Sequence, residues 1–207
     1  MAEVQSHGFV FEKWVRDTFF EKYETGYGAK WDIAKEANKR YGNLPVSIKT
    51  IKYASSINMG DAIRQRSIDE DFILLVGFWK QEGKLKRIVN VTSTKIDKAL
   101  WNSLWAPLSL DDIYELDKLI KSYSVHFSEI RKQAQLLKSK QPYCDCSITL
   151  NPKIDSKKQR RLQCSIGFNL HFSKIATSDS KEVQERPTLW GVEVPEPFES
   201  ESRKFNK

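Results

Sequence analysis

Apolar positions in the first half of the chain follow first a helical and then a strand period. Residues 7–23 carry apolar side chains three and four apart, which predicts a helix. The segments 30–34 and 45–53 alternate as strands do, and a Gly-Asn-Leu-Pro turn separates them. A short helix is expected over 60–68. The continuous apolar run "DFILLVGFW" then predicts a strand covered on both faces, and "LKRIVNVTS" predicts another.

The second half predicts helices followed by a hairpin. One helix is expected over 94–106, and a longer one over 109–139 begins with the N-cap and early acids of "SLDDIYEL". Segments 143–151 and 161–175 have the pattern of two strands joined by a basic loop. We therefore expect a mixed α/β fold. It would comprise a single domain over residues 1–175 and a polar C-terminal tail or arm over 176–207, in which only "TLWGVEV" is suited to pairing.

Charge and composition narrow the possible partners. The 207 residues carry a formal net charge of +7, which suits either a polyanionic partner or simple solubility. The N-terminus lacks a signal-peptide pattern, and the longest apolar run has eight residues, too few to span a bilayer. Three cysteines are typical of a reducing compartment. The expectation is a soluble, cytoplasmic protein with no membrane partner.

An acid and a base occupy the two neighbouring strand segments. Asp32 lies between Trp31 and Ile33, and Lys49 follows Ile48. They could form a cross-strand ion pair, worth about 0.2–1 kcal/mol. Alternatively, the carboxylate could ligate Mg²⁺ while the lysine orients a water and offsets the charge of a phosphate.

These residues resemble those of the PD-(D/E)xK nucleases, and most closely the type II restriction endonucleases. The resemblance covers residues 7–92: a first helix with Glu12, then Asp32, then "SIK" at Ser47–Lys49, then a helix and an apolar strand. It implies a restriction-endonuclease-like central mixed sheet flanked by helices, with a C-terminal β-hairpin. It also implies that a homodimer cleaves double-stranded DNA at a palindromic site, using Mg²⁺ or Mn²⁺, with Asp32, Ser47 and Lys49 at the catalytic positions.

One position departs from the family pattern. The family usually has Glu or Asp two residues before the lysine, where this chain has Ser47. Some restriction enzymes with serine there take the acid from the following helix, which suggests Asp61 as a relocated metal ligand beside Asp32. Glu12 is the second candidate, because the first helix of the family often supplies a carboxylate. Either acid could instead be an ordinary helix residue, Asp61 being favoured by the helix dipole.

Basic and amide side chains near these positions are candidates for DNA contacts. Arginine can pair with guanine, and glutamine or asparagine with adenine. The candidates are Lys52, Tyr53, Asn58, Arg64, Gln65 and Arg66, together with a basic loop containing Lys157, Lys158, Arg160 and Arg161. Each could equally be a solvated surface residue. Two rival functions therefore remain: a DNA-binding protein without catalysis on the same fold, and a structure-specific repair or junction nuclease.

Overall fold

A computed structural model describes residues 6–24, 26, 29–155, 159–195 and 197–199. The chain forms two compact units. The first comprises the described residues within 1–57, 71–96 and 171–207, and the second comprises 58–70 and 97–170. The expected boundary at residue 175 does not coincide with these units. Among the described residues, no helix is both long and apolar enough to cross a membrane.

The first unit is built on a mixed four-stranded sheet. Its helix α1 is Ser6–Phe19, and its main strands are β1 (Val46–Lys52), β3 (Phe72–Glu82) and β4 (Leu85–Ile96). Strand β1 pairs in parallel with β3, β3 pairs antiparallel with β4, and the short β9 (Phe198–Glu199) extends the sheet beyond β4. Strand β1 is therefore an edge strand of this sheet.

Helix α1 lies close against the sheet at Gly77 of β3. A Cβ atom added to Gly77 would lie 2.9 Å from the Phe11 ring, closer than Cβ contacts normally come. Phe11 and Val15 of α1 are buried in a core with Val46 and Ile48 of β1. The continuous apolarity of β3 follows from its position, because its residues 72–78 are all buried.

The tail contributes to this core, although its sequence is mostly polar. Strands β7 (Thr188–Leu189) and β8 (Val192–Glu193) form a small antiparallel hairpin within "TLWGVEV". Leu189 and Val194 are buried in the same cluster as Phe11. The expected pairing capacity of this segment is confirmed. The expectation that no other part of the tail pairs is wrong, because Phe198–Glu199 pairs with β4.

The second unit combines helices with a three-stranded sheet. Its helices are α2 (Ala62–Arg66), α3 (Lys98–Trp105), α4 (Leu110–Ile120) and α5 (Phe127–Lys138). The sheet order is β2 (Ile57–Asp61), β6 (Arg160–Ile166), β5 (Thr149–Ile154), and β5 and β6 form the expected antiparallel pair. The α/β class is confirmed. The end of the predicted strand 161–175 is wrong, because β6 ends at Ile166 and a three-residue helix, α6 (Phe168–Leu170), follows it. Residues 171–175, which belong to the first unit, form a π-helical turn.

The long helix expected over 109–139 is wrong, because the chain forms two helices there. Helix α4 begins at a capping box between Ser109 and Asp112, as its sequence predicts. It ends at Ile120, and the buried guanidinium of Arg160 donates to the carbonyl oxygens of Ile120, Ser122 and Val125. Those hydrogen bonds satisfy carbonyl groups in and after the last turn of α4, so the chain can leave the helix without burying unpaired groups.

The predicted strand at 30–34 is also wrong. Among the residues that the structure describes, this segment forms a single antiparallel bridge, between Ile33 and Val46. Two residues further along the edge strand, the backbone N–H of Ile48 donates to the side chain of Asp32 rather than to a partner strand. A side-chain acceptor that competes with the backbone in this way ends a ladder.

Candidate active site

Strand β1 divides its residues between the core and the candidate site. Val46 and Ile48 belong to the core cluster. Ser47 and Lys49 point to the opposite face, because side chains alternate along a strand. Ser47 is buried, with 6% of its surface exposed, and the Lys49 side chain is 22% exposed. The edge position of β1 leaves Lys49 beside the segment that carries Asp32.

The carboxylate of Asp32 is held against β1 by three donors. Its Oδ2 accepts hydrogen bonds from the backbone N–H of Ile48 at 2.6 Å and from Lys49 Nζ at 3.4 Å. Ser47 Oγ lies 3.5 Å from the same oxygen, at the limit of a hydrogen bond. The three described contacts all end on Oδ2. The Asp32 side chain is 30% exposed, so this ion pair is partly desolvated.

Helix α1 adds a second carboxylate to this group. The pKa of Glu12 is raised above its usual value, first by desolvation and then by the negative charge of Asp32, while Arg16 and Lys49 oppose the shift. Arg16 Nη2 donates to Glu12 Oε1 at 2.5 Å and, more weakly, to the backbone oxygen of Asp32 at 3.4 Å. Glu12, Asp32, Arg16 and Lys49 therefore interact in one electrostatic cluster, which we call the acid–base quartet.

A cleft of about 350 Å³ opens on the α1 side of the quartet, and its described lining includes neither Asp32 nor Lys49. Glu12 and Arg16 line it from the helix, and its other lining residues are Lys13, Asp17, Lys22, Tyr23 and Glu24. The cleft is bounded by both signs of charge, which suits a ligand that combines a cation with an anion.

Asp61 lies in the second compact unit, whereas Asp32 and Glu12 lie in the first. It is the N-cap of α2, and its side chain accepts the backbone N–H of Arg64 at 2.8 Å. This is the ordinary role of an aspartate before a helix. Within the first unit the structure brings Glu12 into a cluster with Asp32, and it gives Asp61 a local role as a helix cap.

The two carboxylates of the quartet suit a hard cation that takes few of its ligands from the protein. Within the described ranges, no group of three or more His, Cys, Asp or Glu side chains is arranged to hold a metal ion. Two carboxylates, Glu12 and Asp32, are nevertheless coupled at the quartet. Mg²⁺ usually keeps several waters and takes one or two carboxylates with phosphate oxygens, so two acids fit this ion. They would not fit a closed structural zinc site, which needs four ligands.

Two of the proposed DNA-contacting residues lie at the end of β1, and a third lies on α2. Lys52 is exposed at the last position of the strand. Tyr53 is partly buried, its hydroxyl donates to the Lys181 carbonyl at 2.7 Å, and Lys80 lies over its ring. Arg64 is exposed on α2.

Asn58 is exposed on β2, and its side-chain oxygen accepts the N–H of Gly60. Other candidates are engaged inside the second unit. Gln65 is buried with 6% exposure, and Arg66 donates to Asn102 and to the Leu108 carbonyl. Arg160, on β6, is buried and donates to the carbonyl groups at the end of α4, whereas Arg161 is exposed. Lys157 and Lys158 lie outside the described residues.

Sequence reasoning did not single out Arg16. The feature of the sequence that could have indicated Arg16 is its spacing of four residues from Glu12, which places the two side chains on one face of a helix. That signal is common on solvated helices, and only the contact with the Asp32 segment distinguishes this pair.

Comparison with known proteins adds no relative. No protein-family model matches the chain, and no curated protein or solved structure matches it.

Proposed function

We propose that this protein is a Mg²⁺-dependent endonuclease that cleaves double-stranded DNA. The observation that carries the proposal is the Asp32 carboxylate, which contacts Lys49 Nζ and is electrostatically coupled to Glu12. The family resemblance adds the finer proposal of a restriction-endonuclease-like fold, a homodimer and a palindromic site, in which protein symmetry matches the symmetry of the site. Mn²⁺ would be able to replace Mg²⁺.

Three residues of the quartet, together with Ser47, have distinct roles in the proposal. Asp32 and Glu12 would hold the cation, and the described donors to Asp32 leave its Oδ1 available. Lys49 orients the attacking water and offsets the phosphate charge. Ser47 supports the Asp32 carboxylate from its buried position but supplies no charge. A bound divalent cation would polarise the scissile phosphate and lower the pKa of a coordinated water.

Glu12 replaces the acid that the family usually places two residues before the lysine. The charge of Asp32 affects the pKa of Glu12, whereas Asp61 serves as a helix cap in the other unit. We therefore favour Glu12 as the second carboxylate.

The test is digestion of plasmid and genomic DNA with and without Mg²⁺. Asp32→Asn and Lys49→Met should each lower the cleavage rate by roughly 10²–10³-fold, the cost of losing one electrostatic stabiliser. Asp71 and Lys95 form a matched control, since they are an aspartate–lysine pair at 3.0 Å in the same unit. Asp71→Asn and Lys95→Met should cut at the wild-type rate. Equal losses in both pairs would show that the effect is structural.

A second pair of variants separates the two candidate acids. Glu12→Gln should lower activity, with partial recovery at raised Mn²⁺, because the variant weakens cation affinity. Asp61→Asn should cut normally, since asparagine is an equally good helix cap. DNA that is bound but never cut by the wild-type protein, with any divalent cation, would instead support the non-catalytic DNA-binding function. That alternative is favoured by the serine at position 47.

A further inference from the structure

We infer that Arg16 is an internal counter-ion of Glu12 that competes with a divalent cation, so that the site binds its cation weakly until a phosphate is present. The inference rests on the proposed function and concerns how that site is controlled. It assigns a role to a residue that neither the sequence pattern nor the family resemblance singled out.

The contact between Arg16 and Glu12 occupies one oxygen of the carboxylate that would hold the cation. Nη2 of Arg16 lies 2.5 Å from Glu12 Oε1, and both side chains are mostly buried, with 20% and 24% exposure. A charge-assisted hydrogen bond of this kind is roughly twice as strong as a neutral one. A cation that binds Glu12 through this oxygen therefore competes with the guanidinium.

Arg16 has few alternative partners if Glu12 turns away. Its other described acceptor is the Asp32 carbonyl, at the longer distance of 3.4 Å. Its Nε is buried and, within the described part of the chain, has no hydrogen-bond partner. A buried charge that loses its partner is costly. The cost of binding a cation at Glu12 thus includes the cost of leaving Arg16 uncompensated.

The quartet is balanced in charge before any ligand binds. Glu12 and Asp32 carry two negative charges, and Arg16 and Lys49 carry two positive charges. A divalent cation alone leaves an excess of two positive charges in a partly desolvated place. A phosphate diester brings a negative charge, and the planar guanidinium is well suited to phosphate oxygens. Cation and DNA should therefore each raise the affinity for the other, as linkage requires.

A purely structural role for Arg16 predicts the opposite sign. If Arg16 only held Glu12 in place, its removal would loosen the carboxylate and weaken cation binding. If Arg16 competes with the cation, its removal frees the carboxylate and tightens cation binding in the absence of DNA. The sign of the change therefore separates the two roles.

The experiment measures Ca²⁺ binding to the whole protein by calorimetry, with and without sheared genomic DNA. Arg16→Gln should bind Ca²⁺ about tenfold more tightly than wild type without DNA, as expected when a hydrogen bond to a charged group no longer competes. The enhancement by DNA should shrink by a similar factor. Arg16→Lys keeps the charge and should stay near wild type. Lys95→Gln is the matched control, since it removes an exposed positive charge of the same unit that pairs with Asp71 and not with the quartet.

The outcomes distinguish this inference from the proposed function. Unchanged or weaker Ca²⁺ binding by Arg16→Gln, with DNA-dependent Ca²⁺ binding intact in the wild type, would overturn the counter-ion role alone. Wild-type protein that binds Ca²⁺ equally well with and without DNA would also overturn it, and this measurement does not depend on the variant folding. Wild-type protein that binds no Ca²⁺ under either condition would overturn the proposed function and the inference together.

Discussion

The close approach of α1 to the sheet makes Gly77→Ala a sharp test of how the site is assembled. Gly77 pairs with Thr50 of β1, and the Phe11 ring lies directly over it. An added methyl group would lie 2.9 Å from Cε1 and Cζ of that ring and 3.1 Å from Cδ1. The neighbour is a buried aromatic ring on the helix that carries Glu12, so the methyl group cannot be accommodated unless the ring or the helix moves.

The magnitude follows from the cost of overpacking. Extra methylene groups in a well-packed core cost about 1–3 kcal/mol. For a chain of this length, each kilocalorie per mole lowers Tm by roughly 2–4 °C, so Gly77→Ala should lower Tm by roughly 2–12 °C. Because Glu12 follows Phe11 in the helix, the displacement should also slow DNA cleavage if the proposed function is correct.

Chemical denaturation and thermal melting measure this cost, and Gly167→Ala is the control. A Cβ at Gly167 would lie 3.9 Å from its nearest neighbour, which is ordinary contact. The control should change the free energy of unfolding by less than about 0.5 kcal/mol. Phe11→Leu shortens the obstructing side chain, so the double variant with Gly77→Ala should be more stable than the sum of the single effects by about 1 kcal/mol.

Two results would refute this reasoning. One is a Gly77→Ala protein as stable as the Gly167→Ala control, which would mean that the ring moves without cost. The other is strict additivity in the double variant, which would place the strain somewhere other than the contact with Phe11.

Two further predictions concern buried polar groups outside the quartet. Burial lowers the pKa of His171 from 6.5 to about 4, and its ring bonds to Thr92. The unfolded chain therefore binds the proton more tightly, so stability should fall as pH drops from about 6.5 to 4, by up to about 3 kcal/mol. In the His171→Gln variant, the free energy of unfolding should depend less on pH across that range. The same dependence on pH in both proteins would contradict the assignment. Arg160→Met should cost about 3 kcal/mol in urea denaturation, because three carbonyl groups lose their donor. Arg161→Ala, at an exposed neighbouring position, should cost less than about 0.5 kcal/mol, and equal costs would show that the buried contacts contribute little.

The sequence alone determined those elements whose residues interact mainly with near neighbours. The apolar run of β3 has no polar face, so its burial could be predicted without knowing its partners. The capping box at Ser109 is local for the same reason. The relation of Asp32 to Lys49 was also predictable, since a short turn brings their segments together, and the ion pair is present at 3.4 Å.

Tertiary structure decided the features that depend on distant contacts. Arg160 lies 40 residues from Ile120 and binds its carbonyl where the sequence pattern predicts one continuous helix. The sequence and the family resemblance placed Asp61 ahead of Glu12 as the second acid, because Asp61 begins the helix that follows the lysine strand. Packing of α1 over Gly77 placed Glu12 in the same unit as Asp32, and Asp61 caps α2. Helical and strand periods show which face of an element is buried, but they carry no information about which distant element that face meets.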